Sequence, residues 1–579
     1  MRILRLLLLT GALGASAALA QMTADQKAAD FTSLSQFYVR HYTPANWKIE
    51  QFGFDLANIG PWLTRVRATR NDLEYYDLVI EYLASLKDGH IRYTLPSNFQ
   101  AYLRFDLDIY DGKTLIEFIS PAFARNRFPI EIGDEVVSVD GVTSEEWIRR
   151  LSKYGEGAND SATRRRAADF ITFRPQSAIP WAANIGETAS VVVRKPSGAE
   201  ATYDIPWAKF ATPIVNLPPV SGPRLSAAAK PTLIRDRSAR YEDIARNWGL
   251  WTGPRPTPEE PLTPSEKLIA ETQIAEAHPA DVALIGLGQP TPLYNPPPGF
   301  RLRLGARSTD QFVSGTFPVD GQTIGWIRIF TFSPSNSALA LSQFRQEITE
   351  LQQSTSALVI DVMHNPGGSA CYALELLRFL VPQPFWGVGY WIKPTQTWKT
   401  YFEARALNAA GPNVAQWERE VLQQYYNVVS AAYEKGEETG VFPICSSSLT
   451  AFPQDVVYTK PVILLTNEFS VSAGDIFPAL FQDANRGKIA GIRTGGLGGN
   501  VNDYFHTGVI EANLRITRSL FVRERAYASP TGPTSLIENA GVQPDVPLSI
   551  MTRENLVTGG QPFVNAMIDE VRRILPARP

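Results

Sequence analysis

Cysteine and histidine are scarce in this chain of 579 residues, which holds two cysteines and five histidines. Cys371 and Cys445 are too few for a thiolate zinc site or a disulfide framework, although they leave one disulfide open. The sequence contains no HExxH pair and no GxxxxGK[ST] segment, and Gly286-Leu287-Gly288 lacks the third glycine of a dinucleotide loop. We therefore expect neither a cofactor nor a metal.

Long apolar runs are also absent, apart from a short one at the start. Residues 1–20 combine Arg2 and Arg5 with an apolar stretch that ends in Ala18-Leu19-Ala20. This pattern predicts a signal peptide, a mature chain that begins at Gln21, and export to the periplasm or the medium. No later stretch reaches the roughly eighteen apolar residues of a membrane span, so we expect none in the mature protein.

Neither sign of charge is in large excess. The chain has 55 lysines and arginines against 58 aspartates and glutamates, with a formal net charge of -3. This balance argues against a nucleic-acid partner. The one tight basic run, at residues 164–166, is interpreted as a solvated loop. The length predicts two to four structural units, and a hydrophobic fraction of 44% suffices for their cores.

The first of these units is predicted to be helical and to span residues 21–104. Its clearest helix starts at Asn71, with Glu74 three residues later as in a capping box. Gly89 is a natural end for that helix, and it places His90 in a loop.

A β-rich module is predicted for residues 105–207. A strand within residues 132–142 closes in an Asp-Gly turn, and Thr143 caps the short helix after it. A hairpin is expected around Pro196-Ser197-Gly198. This pattern resembles a PDZ domain, a module that binds extended peptide ends.

Residues 208–300 differ in composition from the rest. Sixteen of the 43 prolines fall between Pro213 and Pro298. Because proline lacks an amide donor and favours extended chain, we interpret this stretch as a proline-rich insertion or linker.

An α/β core is predicted for residues 301–550, followed by a C-terminal helix within 551–579. Buried strands are expected at residues 324–330, 357–362 and 461–466, each followed by a helix. This alternation predicts a largely parallel sheet.

Two strand-to-helix turns of this core carry candidate chemistry. Asn365-Pro366-Gly367-Gly368 brings two glycines whose N–H groups can approach a ligand. Ser472-Ala473-Gly474-Asp475 exposes a hydroxyl at a helix N-terminus, which favours developing negative charge. On local evidence, the glycines could equally form a plain tight turn, and Ser472 could be a helix cap.

The two turns together resemble the tail-specific (C-terminal processing) serine proteases. This resemblance implies a crotonase/ClpP-like α/β catalytic core with Ser472 as the nucleophile. It also implies an oxyanion hole made by Gly367 or Gly368 together with Ala473. The glycine-rich segment 494–499 sits where that family closes its site.

One departure from the family concerns the base. The commonest members use a lysine at the position that is Leu497 here. The resemblance is therefore to the Ser–His–Glu branch of the family, which includes the tricorn and chlamydial proteases. Residues 467–547 are similar to the chlamydial protease nearly throughout. It implies His90 as general base and Glu538 as the carboxylate that orients it, consistent with the chemistry of serine activation.

The sequence thus predicts a serine endopeptidase that cleaves extended polypeptide substrates through an acyl-enzyme. Two rival residues remain, His364 as the base and Ser470 as the nucleophile. The rival functions are a catalytically inactive binding protein on the same fold and an esterase for small substrates. A homodimer, the pairing of the two cysteines and an inhibitory or self-cleaved insertion are left open.

Overall fold

The structure is a computed structural model that describes residues 21–215, 286–409, 416–507, 511–530 and 532–576. The predicted signal peptide and most of the predicted insertion lie outside these ranges.

The N-terminal region consists of four helices: α1 (Ala24–His41), α2 (Ala45–Phe52), α3 (Gly60–Ala68) and α4 (Asp72–Ala84). Thr23 begins α1 with a capping box, and Asn71 begins α4 by accepting the N–H of Glu74 at 2.9 Å. The helices enclose a core rich in tyrosine and leucine that includes Tyr38 and Tyr82. The helical prediction is confirmed.

A β-rich module follows the helices. A short strand, β1 (Arg92–Thr94), precedes the module and pairs outside it. The strands of the module are β2 (Gln100–Tyr102), β3 (Phe105–Tyr110), β4 (Lys113–Ile119), β5 (Glu135–Val139), β6 (Val142–Thr143), β7 (Phe173–Pro175), β8 (Thr188–Arg194), β9 (Glu200–Pro206) and β10 (Ala208–Phe210). Helices α5 (Ser144–Leu151) and α6 (Asp160–Thr172) cover a sheet of order β3-β4-β5-β8-β9, to which β6 adds through β5. Strands β10, β2 and β7 form a second small sheet.

The interpretation of residues 164–166 as a solvated loop is wrong. Arg165 and Arg166 lie in α6 and are each only 4% exposed. Arg165 forms a buried ion pair with Asp108, at 2.6 Å between Nη2 and Oδ2, and lies 3.3 Å from Glu468. The paired carboxylates explain how a basic run can be buried.

The C-terminal region, from residue 286 onward, contains the remaining elements. Its strands are β11 (Arg301–Leu304), β12 (Val313–Val319), β13 (Gln322–Arg328), β14 (Ala357–Asp361), β15 (Phe385–Trp386), β16 (Gly389–Trp391), β17 (Phe442–Pro443), β18 (Thr450–Ala451), β19 (Val462–Thr466), β20 (Lys488–Gly491), β21 (Val501–Thr507), β22 (Glu511–Thr517), β23 (Leu520–Tyr527), β24 (Thr534–Leu536) and β25 (Val546–Pro547). Its helices are α7 (Ser337–Ser354), α8 (Ala370–Arg378), α9 (Gln396–Asn408), α10 (Gln416–Lys435), α11 (Ala473–Asp483), α12 (Arg553–Thr558) and α13 (Gln561–Ile574).

The central sheet has the order β11-β12-β13-β14-β19-β20-β25. Strands β13, β14, β19, β20 and β25 are parallel, whereas β11 and β12 are antiparallel additions at one edge. All residues of β14 and β19 are buried, as in a sheet covered on both faces. The predicted α/β architecture is confirmed.

Strand β1 joins the N-terminal part of the chain to the C-terminal region. It pairs antiparallel with β22, with Tyr93 opposite Leu514, and β22 pairs in turn with β21. The chain segment that carries His90 is therefore held against the C-terminal region by backbone hydrogen bonds. Within the C-terminal region, Cys371 and Cys445 form a disulfide.

Candidate active site

Ser472 lies in the turn between β19 and α11, at the N-terminal end of the helix. Its backbone has φ 59° and ψ −118°, a strained conformation for a residue other than glycine. The side chain is half-buried, and the Ser472 N–H donates to Asp475 Oδ2 at 2.8 Å. This is the strained, sharp turn by which several hydrolase folds present a nucleophile.

Asp475 fixes the loops around the serine. Its buried carboxylate also accepts the N–H groups of Gly496, at 2.8 Å, and Leu497, at 3.0 Å. Burial raises the pKa of Asp475 to about 6. The role of Asp475 is not predicted from the family motif, although an acidic residue three positions after the cap is the signal of a capping box.

The glycine turn touches the serine turn directly. A Cβ added to Gly367 would lie 2.6 Å from Ser472 Cβ and 3.0 Å from Ala473 N. Gly367 has φ 91° and donates its N–H to Asn365 Oδ1 at 2.8 Å. Because that N–H is already used inside the turn, Gly368 is the better placed of the two predicted oxyanion donors.

The two rival residues, Ser470 and His364, are both buried beside these turns. Ser470 is fully buried, donates its hydroxyl to Val362 O at 2.8 Å and accepts the Asn467 N–H at 3.1 Å. His364 is 2% exposed, and its ring meets Phe469 edge-on with centroids 5.1 Å apart.

His90 lies in the loop between α4 and β1 and is 7% exposed. Its backbone N–H donates to Asp88 Oδ1 at 2.8 Å. A Cβ on Gly89 would come within 2.9 Å of Leu497 Cδ1, and Leu497 packs in one apolar cluster with Val471. The structure thus places the histidine loop one side chain away from the serine turn, with Leu497 between them.

Glu538 is fully buried beside the same loop. Its Oε2 accepts the Gly498 N–H at 2.9 Å, and its Oε1 accepts the ammonium group of Lys48. Burial first, and the nearby Asp88 carboxylate second, raise the pKa of Glu538 to about 7 although Lys48 lowers it. The pKa of Asp88 is shifted the other way: burial raises it, but Lys48 and His90 lower it by more.

An aromatic pocket opens beside Ser472. Among the described residues that line it, Arg405 is the one charged residue, and it donates to Tyr401 Oη at 2.9 Å. One member, Cys371, belongs to the disulfide. The aromatic members are Tyr390, Trp398, Tyr401, Phe402, Tyr425 and Phe521.

Two further observations concern metals and membranes. Within the part of the chain that the structure describes, no group of three or more histidine, cysteine, aspartate or glutamate side chains could hold a metal ion. In those same ranges, no helix is both long enough and apolar enough to cross a bilayer.

Comparison with known proteins places this geometry in a class. Residues 323–548 match the model of peptidase family S41, and residues 99–214 match that of the PDZ domain. The chain is a serine peptidase. Its catalytic domain is that of peptidase family S41, joined to an N-terminal helical region and a PDZ domain.

Individual proteins resemble almost the whole chain. A protein of Chlamydia trachomatis is 24% identical over 583 residues, which cover 94% of this chain and 92% of that protein. The structure of mature CPAF complexed with lactacystin is 21% identical, has a TM-score of 0.69 and covers 95% of this chain and 99% of that one. Tricorn protease is a weaker likeness, with 13% identity, a TM-score of 0.34, and coverage of 95% of this chain and 37% of that one. The family match over residues 323–548 and the CPAF structure confirm the predicted resemblance to the tail-specific serine proteases.

Proposed function

We propose that this serine peptidase is an exported endopeptidase that cleaves extended polypeptide segments through an acyl-enzyme on Ser472. The observation that carries the proposal is the contact between the strained serine turn and the glycine turn, beside the histidine loop. Export is motivated by residues 1–20 alone, and sequencing of the exported protein should find Gln21 first rather than Met1.

In the first half of the reaction, Ser472 Oγ attacks the carbonyl carbon of the scissile peptide bond. His90 takes the hydroxyl proton as the new C–O bond forms. The electron pair of the carbonyl π bond moves to its oxygen, which the N–H groups of Gly368 and Ala473 stabilise. When the intermediate collapses, the C–N bond breaks and the leaving amine takes the proton from His90.

In the second half, water attacks the ester of Ser472 and gives a proton to His90. The second intermediate expels Ser472 Oγ, which recovers the proton, and the new carboxyl terminus leaves. In both halves the imidazole becomes positively charged, and the Glu538 carboxylate stabilises that charge. The turn at Ser472 needs no rearrangement, because its backbone is already held by Asp475.

The aromatic pocket supports a peptide substrate with a large apolar side chain next to the cleaved bond. Rings such as Phe402 and Tyr425 offer apolar contact area, whereas a small ester would leave most of this surface empty. The PDZ domain beside the core is consistent with capture of extended chain.

The test combines labelling with turnover. A fluorophosphonate should label the wild type but not Ser472→Ala, and Ser472→Ala and His90→Ala should each lose nearly all peptide hydrolysis. The double variant should lose little more, because the two residues act as one unit. Glu538→Gln should keep residual activity.

His364→Ala is the matched control, since His364 is the other buried histidine next to these turns. Activity that survives in His90→Ala but is lost in His364→Ala would move the base to His364. A protein that neither labels nor cleaves would be a binding protein, and one that cleaves small esters but no peptide would be an esterase.

A further inference from the structure

Four ionisable side chains are buried together on the histidine side of the site. Lys48 and Glu538 are fully buried, Asp88 is 2% exposed and His90 is 7% exposed. Lys48 comes from α2, and Asp88 and His90 come from the loop that follows α4, so three members of the group are supplied by the N-terminal helical region. Neither Lys48 nor Asp88 has a role in the mechanism described above.

We propose that Lys48 and Asp88 are positioning residues that set the charge around His90 and Glu538, so that the cluster is electrically balanced when His90 is protonated. The proposal rests on the proposed function, because it requires His90 to take a proton in each half of the reaction.

The contacts of Lys48 support a fixed position for its charge. An ammonium group has three donors, and Lys48 uses them on Glu538 Oε1, on Asn539 Oδ1 at 2.5 Å and on Lys87 O at 3.1 Å. Lys48 therefore ties the loop that carries His90 to the loop that carries Glu538.

Asp88 is fixed by contacts of the opposite kind. Its Oδ1 accepts the backbone N–H of His90 at 2.8 Å. Its Oδ2 accepts the hydroxyls of Tyr42, at 2.9 Å, and Thr517, at 2.8 Å. A carboxylate that accepts three hydrogen bonds is held in its charged form and in one orientation.

The balance of charge follows from these contacts. Above pH 7, where Glu538 is mostly ionised, the cluster carries one net negative charge, since Lys48 is positive, Asp88 and Glu538 are negative and His90 is neutral. Protonation of His90 during turnover brings the net charge of the cluster to zero, and a buried group of charges has its lowest free energy when it is neutral overall. Without Lys48 the resting cluster would carry two negative charges and would bind a proton before the substrate arrives.

Other charged or titratable groups face the cluster from the elements packed around it. The Tyr42 hydroxyl approaches from the end of α1, and Asp475 lies across the glycine-rich loop, on the N–H groups of Gly496 and Leu497. The Lys87 ammonium group points instead to Glu156, at 3.3 Å. None of these groups is altered in the test below.

The test is the pH profile of kcat/KM for Lys48→Met and Asp88→Asn. Lys48→Met removes a positive charge, which makes the cluster bind a proton more readily. The acid limb of the profile should therefore move to higher pH by about one unit, so that kcat/KM falls roughly tenfold at a fixed pH on that limb. Loss of the aspartate removes a negative charge, so the limb should move to lower pH. Both signs hold whether His90 or Glu538 binds the proton.

The matched control is Lys27→Met. Lys27 is a buried lysine of α1 that donates to Asn71 O at 3.0 Å and lies 3.7 Å from Asp72 Oδ1. The substitution should lower the unfolding temperature but leave the acid limb in place, since it is away from the site.

The outcomes separate this proposal from the proposed function. A wild type without peptide hydrolysis or fluorophosphonate labelling defeats the proposed function. A wild type with a normal acid limb, together with variants whose limbs stay in place or move in the same direction, overturns the charge proposal alone. If Lys48→Met does not fold, Asp88→Asn decides: a limb at lower pH supports the proposal, and an unchanged or higher limb overturns it.

Discussion

Replacing Gly367 with alanine should disable the site while leaving the fold in place. The added Cβ would lie 2.6 Å from Ser472 Cβ and 2.7 Å from Val471 O. Carbon atoms in good contact are about 3.5–4.0 Å apart, so the serine turn and the glycine turn must separate by about 1 Å. A displacement of that size at reacting atoms costs about 100-fold in rate, or about 2.7 kcal/mol.

The control for this substitution is Gly198→Ala. Gly198 has φ 89°, nearly the same as the 91° of Gly367, but nothing lies within 4 Å of its added Cβ. Gly198→Ala should lose about 1–2 kcal/mol of stability, because alanine is strained at positive φ. Gly367→Ala should lose about 1–3 kcal/mol more, because its Cβ also overpacks the two turns. Only Gly367→Ala should lose kcat/KM and the rate of fluorophosphonate labelling.

The assays are urea unfolding for stability and peptide hydrolysis for kcat/KM. A folded Gly367→Ala enzyme with kcat/KM within about threefold of the wild type would refute the reasoning. It would mean that the glycine turn is not in contact with the nucleophile during catalysis.

Two further variants test the surroundings of the serine. Burial raises the pKa of Asp475 from 3.8 to about 6, so stability from its bound proton is full below pH 3.8 and is lost as pH rises through 6. Asp475→Asn should remove this pH-dependent loss of stability. Between pH 4 and pH 7, the unfolding free energy of the variant, measured in urea, should therefore rise relative to that of the wild type by up to about 3 kcal/mol. A difference between the two proteins that does not change with pH would contradict the expectation. Ala370→Leu narrows the aromatic pocket. KM should therefore rise about tenfold for peptides with a large apolar residue at the cleaved bond, but not for peptides with alanine at that position. Equal effects on the KM of both kinds of peptide would argue against the pocket as the binding site of that side chain.

The sequence predicts the fold well where one segment carries its own signal. Residues 357–360 and 462–465 are uninterrupted runs of alanine, leucine, valine and isoleucine, and they form most of the buried strands β14 and β19. Asn71 and Glu74 are a local pair, and they begin α4. In each case the information lies within about ten residues of chain.

The parts of the site that depend on distant contacts are not visible in this way. Nothing near Lys48 in sequence distinguishes it from a solvent-facing helix lysine, yet its partner Glu538 is 490 residues away. Arg165 shows the same limit, because its burial depends on Asp108 and Glu468. For the catalytic residues the sequence offers types and motifs, and Ser472, His90 and Glu538 remain predictions as a triad.

The pairing of β1 with β22 has a consequence for how this peptidase comes into being. The hydrogen bond from Thr517 to Asp88, next to His90, joins residues 429 positions apart. At about 5–20 residues per second, synthesis of that interval takes about 20–90 s. During this time His90 has been made, but the strand that holds its loop against the serine does not yet exist. If His90 is the base, as proposed, a nascent chain cannot complete its site before residues 511–517 have been translated.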